Sequence, residues 1–137
     1  MADMTALADE LAIRRTLSSY CHRCDDGDFA RLVDQFTRDG ALVFGDEVVT
    51  GRAELLAWFE RNQPAELRGK HLMTNTVVEV EGDRASALSD FVFLRVVDGG
   101  PRPAVAGRYR DELVRVGDEW LLERRDIHIM RPDRAAL

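Results

Sequence analysis

The second half of the chain restricts the fold most strongly. After residue 69, four long stretches rich in β-branched and aromatic residues follow one another, separated by turns that contain Gly82-Asp83, Gly99-Gly100-Pro101 and Gly117-Asp118. The stretches cover residues 70–80, 84–97, 104–116 and 119–130. Short glycine turns of this kind join antiparallel neighbours. The pattern therefore predicts four consecutive strands of an antiparallel sheet.

Helical periodicity dominates the first half. Apolar residues recur at helical spacing from Thr5 onward and stop at Gly27, at positions Ile13, Leu17, Tyr20, Cys21 and Cys24. This predicts an amphipathic helix. A short helix over 29–36 and a third over 51–63, closed by Pro64, flank two short strands at 41–44 and 47–51. Three helices followed by a meander predict an α+β fold in a single domain, residues 1–137.

Charge and apolar patterning exclude several classes of partner. The chain carries 19 basic and 25 acidic residues, a formal net charge of -6, so nucleic-acid binding is not expected. No apolar run is long enough to span a bilayer, and residues 1–15 lack the charged and apolar regions of a signal peptide. We therefore expect a protein of the cytoplasm that does not insert into membranes and whose thiols are reduced.

The stretch "YCHRCDDGD", residues 20–28, concentrates chemically capable side chains at the end of the first helix. Cys21 and Cys24 are the only cysteines, and a structural zinc site generally needs four ligands. A thioredoxin-type motif would need a strand before the first cysteine, whereas a helix precedes it here. We therefore predict reduced, buried thiols and no metal site.

The aspartates of this stretch differ in the direction they face. At about 100° per residue, Asp25 lies at the edge of the apolar stripe and Asp26 on the opposite side of the helix. A buried carboxylate is costly unless it is paired, so Asp25 should have a partner such as an imidazole. Tyr20 lies inside the stripe and is either a hydrogen-bond donor to a substrate oxygen or a core tyrosine with a backbone partner.

Turn positions predict the strand registers. A two-residue turn at Gly82-Asp83 places Asn75 opposite Asp90 and puts both on one face with His71. On that face Asp90 would have a raised pKa or a hydrogen-bonding partner. A shift of one residue would remove Asp90 from the face.

The last hairpin gives a second register. The turn at Gly117-Asp118 places Arg124 beside Asp111. From the register alone, Arg124 forms an exposed cross-strand ion pair with Asp111.

Several motifs in this order resemble a known family. They are "DDGDFARLVDQFTRDGALVF", "GRAELLAWF", "KHLMTN" and "VGDEWLLERRDI". The chain is similar to the SnoaL-like branch of the nuclear-transport-factor-2-like superfamily, and its pattern is closest to scytalone dehydratase, bile-acid dehydratase and dehydrochlorinase relatives. The resemblance implies a cone-shaped barrel, in which three helices pack in a strongly curved, mostly antiparallel mixed sheet around one apolar pocket. It also implies a histidine base early in the first long strand, His71, paired with an aspartate at the end of the first helix, Asp25. For Arg124 it implies a second role beside the exposed ion pair, that of a pocket arginine suited to an anion or a carbonyl.

We therefore expect a cofactor-independent lyase or isomerase, dehydratase-like or cyclase-like, with His71, Asp25 and Tyr20 as catalytic residues. The expected substrate is a small hydrophobic, aromatic or polycyclic molecule, and the expected assembly is a homo-oligomer, a dimer or a trimer. A non-catalytic binding or accessory subunit and an epoxide-hydrolase-like relative remain alternatives. The residues expected to contact the substrate are Asn75, Asp90, Arg124, Tyr109, Phe44 and Trp58.

Overall fold

A computed structural model describes residues 3–132. The helices are α1 (Met4–Asp26), α2 (Phe29–Val33) and α3 (Arg52–Asn62), followed by a 3₁₀ turn, Ala65–Leu67. The second helix is shorter than predicted, because the first strand already begins at Phe36. The strands are β1 (Phe36–Phe44), β2 (Glu47–Thr50), β3 (Lys70–Glu81), β4 (Arg84–Val97), β5 (Gly100–Val116) and β6 (Glu119–Ile129).

All six strands form one mixed sheet in the order β2-β1-β6-β5-β4-β3. The strands β3 to β6 are antiparallel neighbours joined by their turns, as the sequence predicts. On the other side of the sheet lies β1, which comes earlier in the chain. It runs parallel to β6 and antiparallel to β2. The sheet curls around the helices as an open cone, and the predicted α+β architecture is confirmed.

Helix α1 has a defined signal at each end. The side chain of Asp3 accepts a hydrogen bond from the backbone N–H of Thr5 at 3.0 Å, and Gly27 ends the helix with a left-handed φ of 73°. The predicted apolar stripe is buried against the sheet. No helix within residues 3–132 is long and apolar enough to cross a bilayer.

A bulge in β3 changes the register predicted for the first hairpin. Asn75 has a left-handed φ of 54°, a conformation that asparagine tolerates better than most residues. The pairs Val77–Leu88 and Thr74–Asp90 flank this irregularity, so one extra residue lies on β3. His71 consequently pairs with Phe93, and Asn75 no longer lies opposite Asp90.

A second bulge lies in β6. Leu113 pairs with Leu122 but Glu112 pairs with Arg124, so Glu123 is the extra residue. Asp111 therefore pairs with Arg125, not with Arg124 as predicted. Arg125 has a fully buried side chain, whereas the side chain of Arg124 is 44% exposed.

Arg125 and Asp111 form a buried, two-pronged ion pair. Nε and Nη2 of Arg125 donate to the two carboxylate oxygens of Asp111 at 2.7 and 2.8 Å. Burial by itself lowers the pKa of Arg125, but the charge and hydrogen bonds of Asp111, together with the nearby Tyr20 and Tyr109, raise the pKa above its usual value. The pair therefore keeps the guanidinium of Arg125 protonated beneath α1, with the carboxylate of Asp111 as its counter-ion.

We predict that Asp111→Ala destabilises the protein strongly, by about 3–5 kcal/mol, because it leaves the Arg125 charge buried without its counter-ion. Asp126→Ala is the matched control: Asp126 accepts from the exposed Arg124 at 2.8 Å on the outer face, and its loss should cost less than about 1 kcal/mol. Urea unfolding of both variants measures the difference. Equal losses in the two variants would contradict a structural role for the buried pair.

Candidate functional site

A cavity of about 480 Å³ opens between the helices and the inner face of the sheet. This volume is within the range of small-molecule sites. Most of its wall is aromatic or aliphatic, with residues Tyr20, Cys24, Phe44, Trp58, Phe59, Leu67, His71, Phe91, Phe93, Ala104, Val105, Tyr109, Ile127 and Ile129. A larger cleft of about 700 Å³ lies on the outside, between α1 and the turn before β6, and charged side chains dominate it. The apolar cavity is the better site for an organic ligand.

The predicted contact between Asp25 and His71 is present at the wall of this cavity. Nδ1 of His71 lies 2.6 Å from Oδ1 of Asp25. The backbone N–H of His71 also donates to the carboxylate, at 3.0 Å to Oδ2 and 3.2 Å to Oδ1. The two side chains are only 9% and 4% exposed, His71 and Asp25 respectively. Because Asp25 engages Nδ1, the nitrogen left for a ligand is Nε2.

The end of one element and the start of another bring this pair together. Asp25 lies in the last turn of α1, which stops at Gly27, and His71 is the second residue of β3. Phe93 lies opposite His71 on β4, with the two ring centroids 4.6 Å apart. The carboxylate holds the imidazole from one side and the phenyl ring packs beside it, so the ring has little freedom to rotate.

Two buried tyrosines lie deeper in the cavity. The guanidinium carbon of Arg125 is 4.1 Å from the ring centroid of Tyr20 and 3.9 Å from that of Tyr109, within the range of cation–π contacts. Tyr109 also stacks on Phe91, with centroids 4.3 Å apart. Burial raises the pKa of both tyrosines, so both hydroxyls stay protonated at neutral pH and can donate hydrogen bonds.

Three of the six residues expected to contact the substrate lie elsewhere. Because of the bulge in β3, Asn75 and Asp90 lie on the outer face of the sheet, where the Asn75 amide donates to Asp90 at 3.2 Å. Nε of Arg108 donates to Asp90 at 2.7 Å, and these hydrogen bonds, the one from Arg108 above all, lower the pKa of Asp90. Arg124 also lies outside and pairs with Asp126. Their placement in the pocket was wrong.

The three aromatic candidates border the cavity. Phe44 and Trp58 pack together with centroids 5.8 Å apart, and Trp58 meets Phe59 edge-on at 5.2 Å. Tyr109 lines the wall beside Phe91. Their position fits a role in ligand binding, which stays a prediction.

The two cysteines are free and buried on the inner side of α1. Burial raises the pKa of the Cys21 thiol to about 11 and that of the Cys24 thiol to about 12. Within residues 3–132, no group of three or more His, Cys, Asp or Glu side chains is arranged to hold a metal ion. Cys24 borders the cavity as a small apolar side chain.

Some residues of the site were not identified from the sequence. Arg125 takes the inward position predicted for its neighbour Arg124, and only the bulge decides between the two. Phe91 and Phe93 were recognised only as strand residues. Arg95 and Arg131 also line the cavity; Arg95 is half-buried and Arg131 is exposed, so they lie at the mouth of the cavity, toward solvent. The alternation of residues on β4 places Arg95 on the face of Phe93, which is a signal that the sequence contains.

Comparison with known proteins identifies one family and many solved structures that share this fold. Residues 5–126 match the family model of the SnoaL-like domain. No curated protein matches the chain. The chain is similar to a variant of Rv3472, a function unknown protein from Mycobacterium tuberculosis, with 27% identity, a TM-score of 0.89 and coverage of 97% of this chain and 79% of that one.

Two structures from Novosphingobium aromaticivorans are also similar. One is an NTF2-like protein with a cystatin-like fold, with 27% identity, a TM-score of 0.84 and coverage of 99% of this chain and 96% of that one. The other is a candidate scytalone dehydratase, with 21% identity, a TM-score of 0.82 and coverage of 93% of this chain and 87% of that one. At that identity the second shows the fold alone.

The chain contains only two tyrosines, and both lie in this site. We predict that tyrosinate absorbance near 295 nm stays low as the pH rises through about 10, the ordinary tyrosine pKa, and then appears together with unfolding. The sign follows from the raised pKa: above that pH the unfolded chain loses protons that the folded chain keeps, so stability falls. A tyrosinate signal at pH 10 from a protein whose circular dichroism is still native would contradict the burial of these hydroxyls.

Proposed function

Since the chain belongs to the SnoaL-like domain family, we propose that it is a cofactor-independent lyase or isomerase, dehydratase-like or cyclase-like, with a small hydrophobic, aromatic or polycyclic substrate. The observation that carries the proposal is the Asp25–His71 pair at the wall of an apolar cavity. A neutral imidazole with one nitrogen held by a carboxylate and the other facing a cavity is the arrangement of a general base.

In the proposed reaction, Nε2 of His71 removes a proton from a carbon next to an activating group of the substrate. The electron pair of the broken C–H bond moves toward that group, which gains negative charge. Asp25 accepts from Nδ1–H throughout, keeps the ring in the correct tautomer and stabilises the imidazolium that forms. Low exposure of the pair favours this role because it keeps water from competing for the base.

The tyrosine hydroxyls would act on the developing negative charge. Tyr20 or Tyr109 can donate a hydrogen bond to an oxyanion, and the fixed charge of Arg125 against both rings favours negative charge nearby. If a hydroxide leaves with the proton that His71 has taken, the net reaction is loss of water. If the imidazolium returns that proton to another carbon, the net reaction is isomerisation. If the carbanion instead attacks a carbonyl carbon of the same molecule and the imidazolium protonates the alkoxide oxygen that forms, the net reaction is ring closure.

A second candidate is a non-catalytic binding subunit. The aromatic wall formed by Phe44, Trp58, Phe91 and Phe93 would bind a flat apolar molecule whether or not a reaction follows. The epoxide-hydrolase-like alternative has less support. Among the described residues that line the cavity none is a carboxylate that could activate water, since Asp25 lies behind His71.

We also propose that the protein assembles with copies of itself and works in the cytoplasm. Within residues 3–132 no helix covers the outer face of the sheet, and Leu72 and Val77 on β3 are 52% and 57% exposed there. Burying such side chains between two copies of the sheet removes apolar surface from water. The strands β2 and β3 at the two edges also offer unpaired backbone groups.

To test the base, we choose 5-nitrobenzisoxazole, an aromatic probe whose ring opens when a base removes one proton. We expect His71→Ala to lower kcat/KM at least ~100-fold, the range of general-base catalysis. Asp25→Asn should lower kcat ~10- to 100-fold with little change in KM and should alter the pH profile, because Asp25 orients the base without touching the probe. Formation of the nitrophenolate product measures the rates.

Asp26→Asn is the matched control, since Asp26 is the exposed neighbour of Asp25 on the opposite side of α1. It should keep the wild-type rate within about twofold, as expected for a surface substitution. A His71→Ala variant as fast as the wild type would refute the proposed base. Tight binding of aromatic ligands without any turnover would favour the binding subunit instead.

Light scattering at micromolar concentration tests the assembly. We expect a mass of two or three times 15.5 kDa, and we expect Leu72→Glu combined with Val77→Glu to reduce it to that of one chain. The physical reason is that two buried carboxylates in an apolar interface cost more than the contact gains. A wild-type protein of 15.5 kDa at this concentration would contradict the proposed assembly.

A further inference from the structure

The charged side chains at the mouth of the cavity are basic. Arg95 and Arg131 line it, and among the described residues of the lining no acidic side chain accompanies them. The chain as a whole has 25 acidic residues and a net charge of -6, so the cavity differs in sign from the protein around it. Within residues 3–132, neither Arg95 nor Arg131 forms an ion pair or a side-chain hydrogen bond. Two arginines are thus available to a ligand.

The strand registers give the position of these arginines relative to His71. His71 pairs with Phe93, and Phe93 pairs with Val105. The pair Gly107–Ile129 extends by two residues to place Arg131 beside Val105, consistent with the hydrogen bond from Met130 N–H to the Ala106 carbonyl at 2.8 Å. One row across the sheet therefore runs from His71 to Arg131.

The row is about three strand spacings long, ~14 Å along the curved sheet, and the long arginine side chain shortens the distance that a ligand must bridge. Arg95 lies two residues after Phe93 on β4 and is half-buried, so it flanks the same row on the cavity face. Phe93 lies in this row between the imidazole and Arg131, and Phe91 lies beside Phe93 on the same cavity face. The two phenyl rings can therefore pack against an aromatic ring system, and the two arginines can bind an anionic group at its end.

We propose that this cavity selects an aromatic ligand with a carboxylate at one end, which Arg95 and Arg131 bind at the mouth while the ring system extends over Phe93 toward His71. This inference rests on the proposed function for the identity of the cavity as the substrate site. Arginine is suited to the task because its planar donors match the two oxygens of a carboxylate. A neutral ligand of the same shape would leave both cations without a partner.

The test uses biphenyl-4-carboxylate and its neutral counterpart biphenyl-4-carboxamide as probes, with binding measured by calorimetry at two salt concentrations. We expect the wild type to bind the carboxylate about tenfold more tightly than the amide, the size of one or two charge-assisted hydrogen bonds at a partly exposed site. We expect the preference to shrink at high salt. Arg95→Gln combined with Arg131→Gln should reduce the preference to about twofold or less while leaving amide binding unchanged.

Arg110→Gln is the matched control because Arg110 is exposed on the outer face of β5 and has no place in the cavity lining. It should keep the full preference for the carboxylate. Equal binding of the two probes by the wild type, no binding of either, or loss of the preference in Arg110→Gln would overturn the inference. Binding does not need turnover, so a His71→Ala variant that keeps the carboxylate preference but lacks activity separates this inference from the proposed reaction.

Discussion

The carboxylate of Asp25 is the contact on which the site depends. It accepts hydrogen bonds from both the backbone and the ring of His71, and so joins the end of α1 to the beginning of β3. The helix must end where it does for this contact to form, and Gly27 ends it with a conformation that most residues adopt at a cost. One carboxylate therefore has two roles. It accepts the backbone N–H near the start of β3, and it engages one imidazole nitrogen so that the other is left for a ligand.

Charge in the interior follows a consistent arrangement. The deepest cation, Arg125, is neutralised by Asp111 behind it and lies against the rings of Tyr20 and Tyr109 in front. The imidazole of His71 is backed by Asp25 in a similar way. In both cases the acid lies on the far side from the cavity and the donor or base lies toward it. A ligand in the cavity consequently meets Tyr20, Tyr109 and His71 and, at the mouth, Arg95 and Arg131.

Much of the fold could be predicted because its signals are local. Helical spacing of apolar residues gave α1, and glycine turns gave the order of β3 to β6. A carboxylate at the edge of an apolar stripe needs a partner such as an imidazole, and the resemblance to the family implied that this partner is His71. The two bulges could not be predicted from the turn positions, because an extra residue in a strand depends on how the sheet bends around the helices. Each bulge changed the face on which a polar residue was expected. Asp90 lies on the outer face of the sheet, and Arg125, not Arg124, lies on the inner face.

The central claim is that Asp25 holds His71 as a neutral base with Nε2 free. Nitrogen-15 NMR of the imidazole rings tests it directly, because the chain has only three histidines and a His71→Asn variant assigns the signal. At neutral pH we predict a protonated Nδ1 and an unprotonated Nε2 for His71, and loss of this tautomer preference in Asp25→Asn. A ring that carries its proton on Nε2, or one whose tautomer does not respond to the loss of the Asp25 charge, would contradict the account.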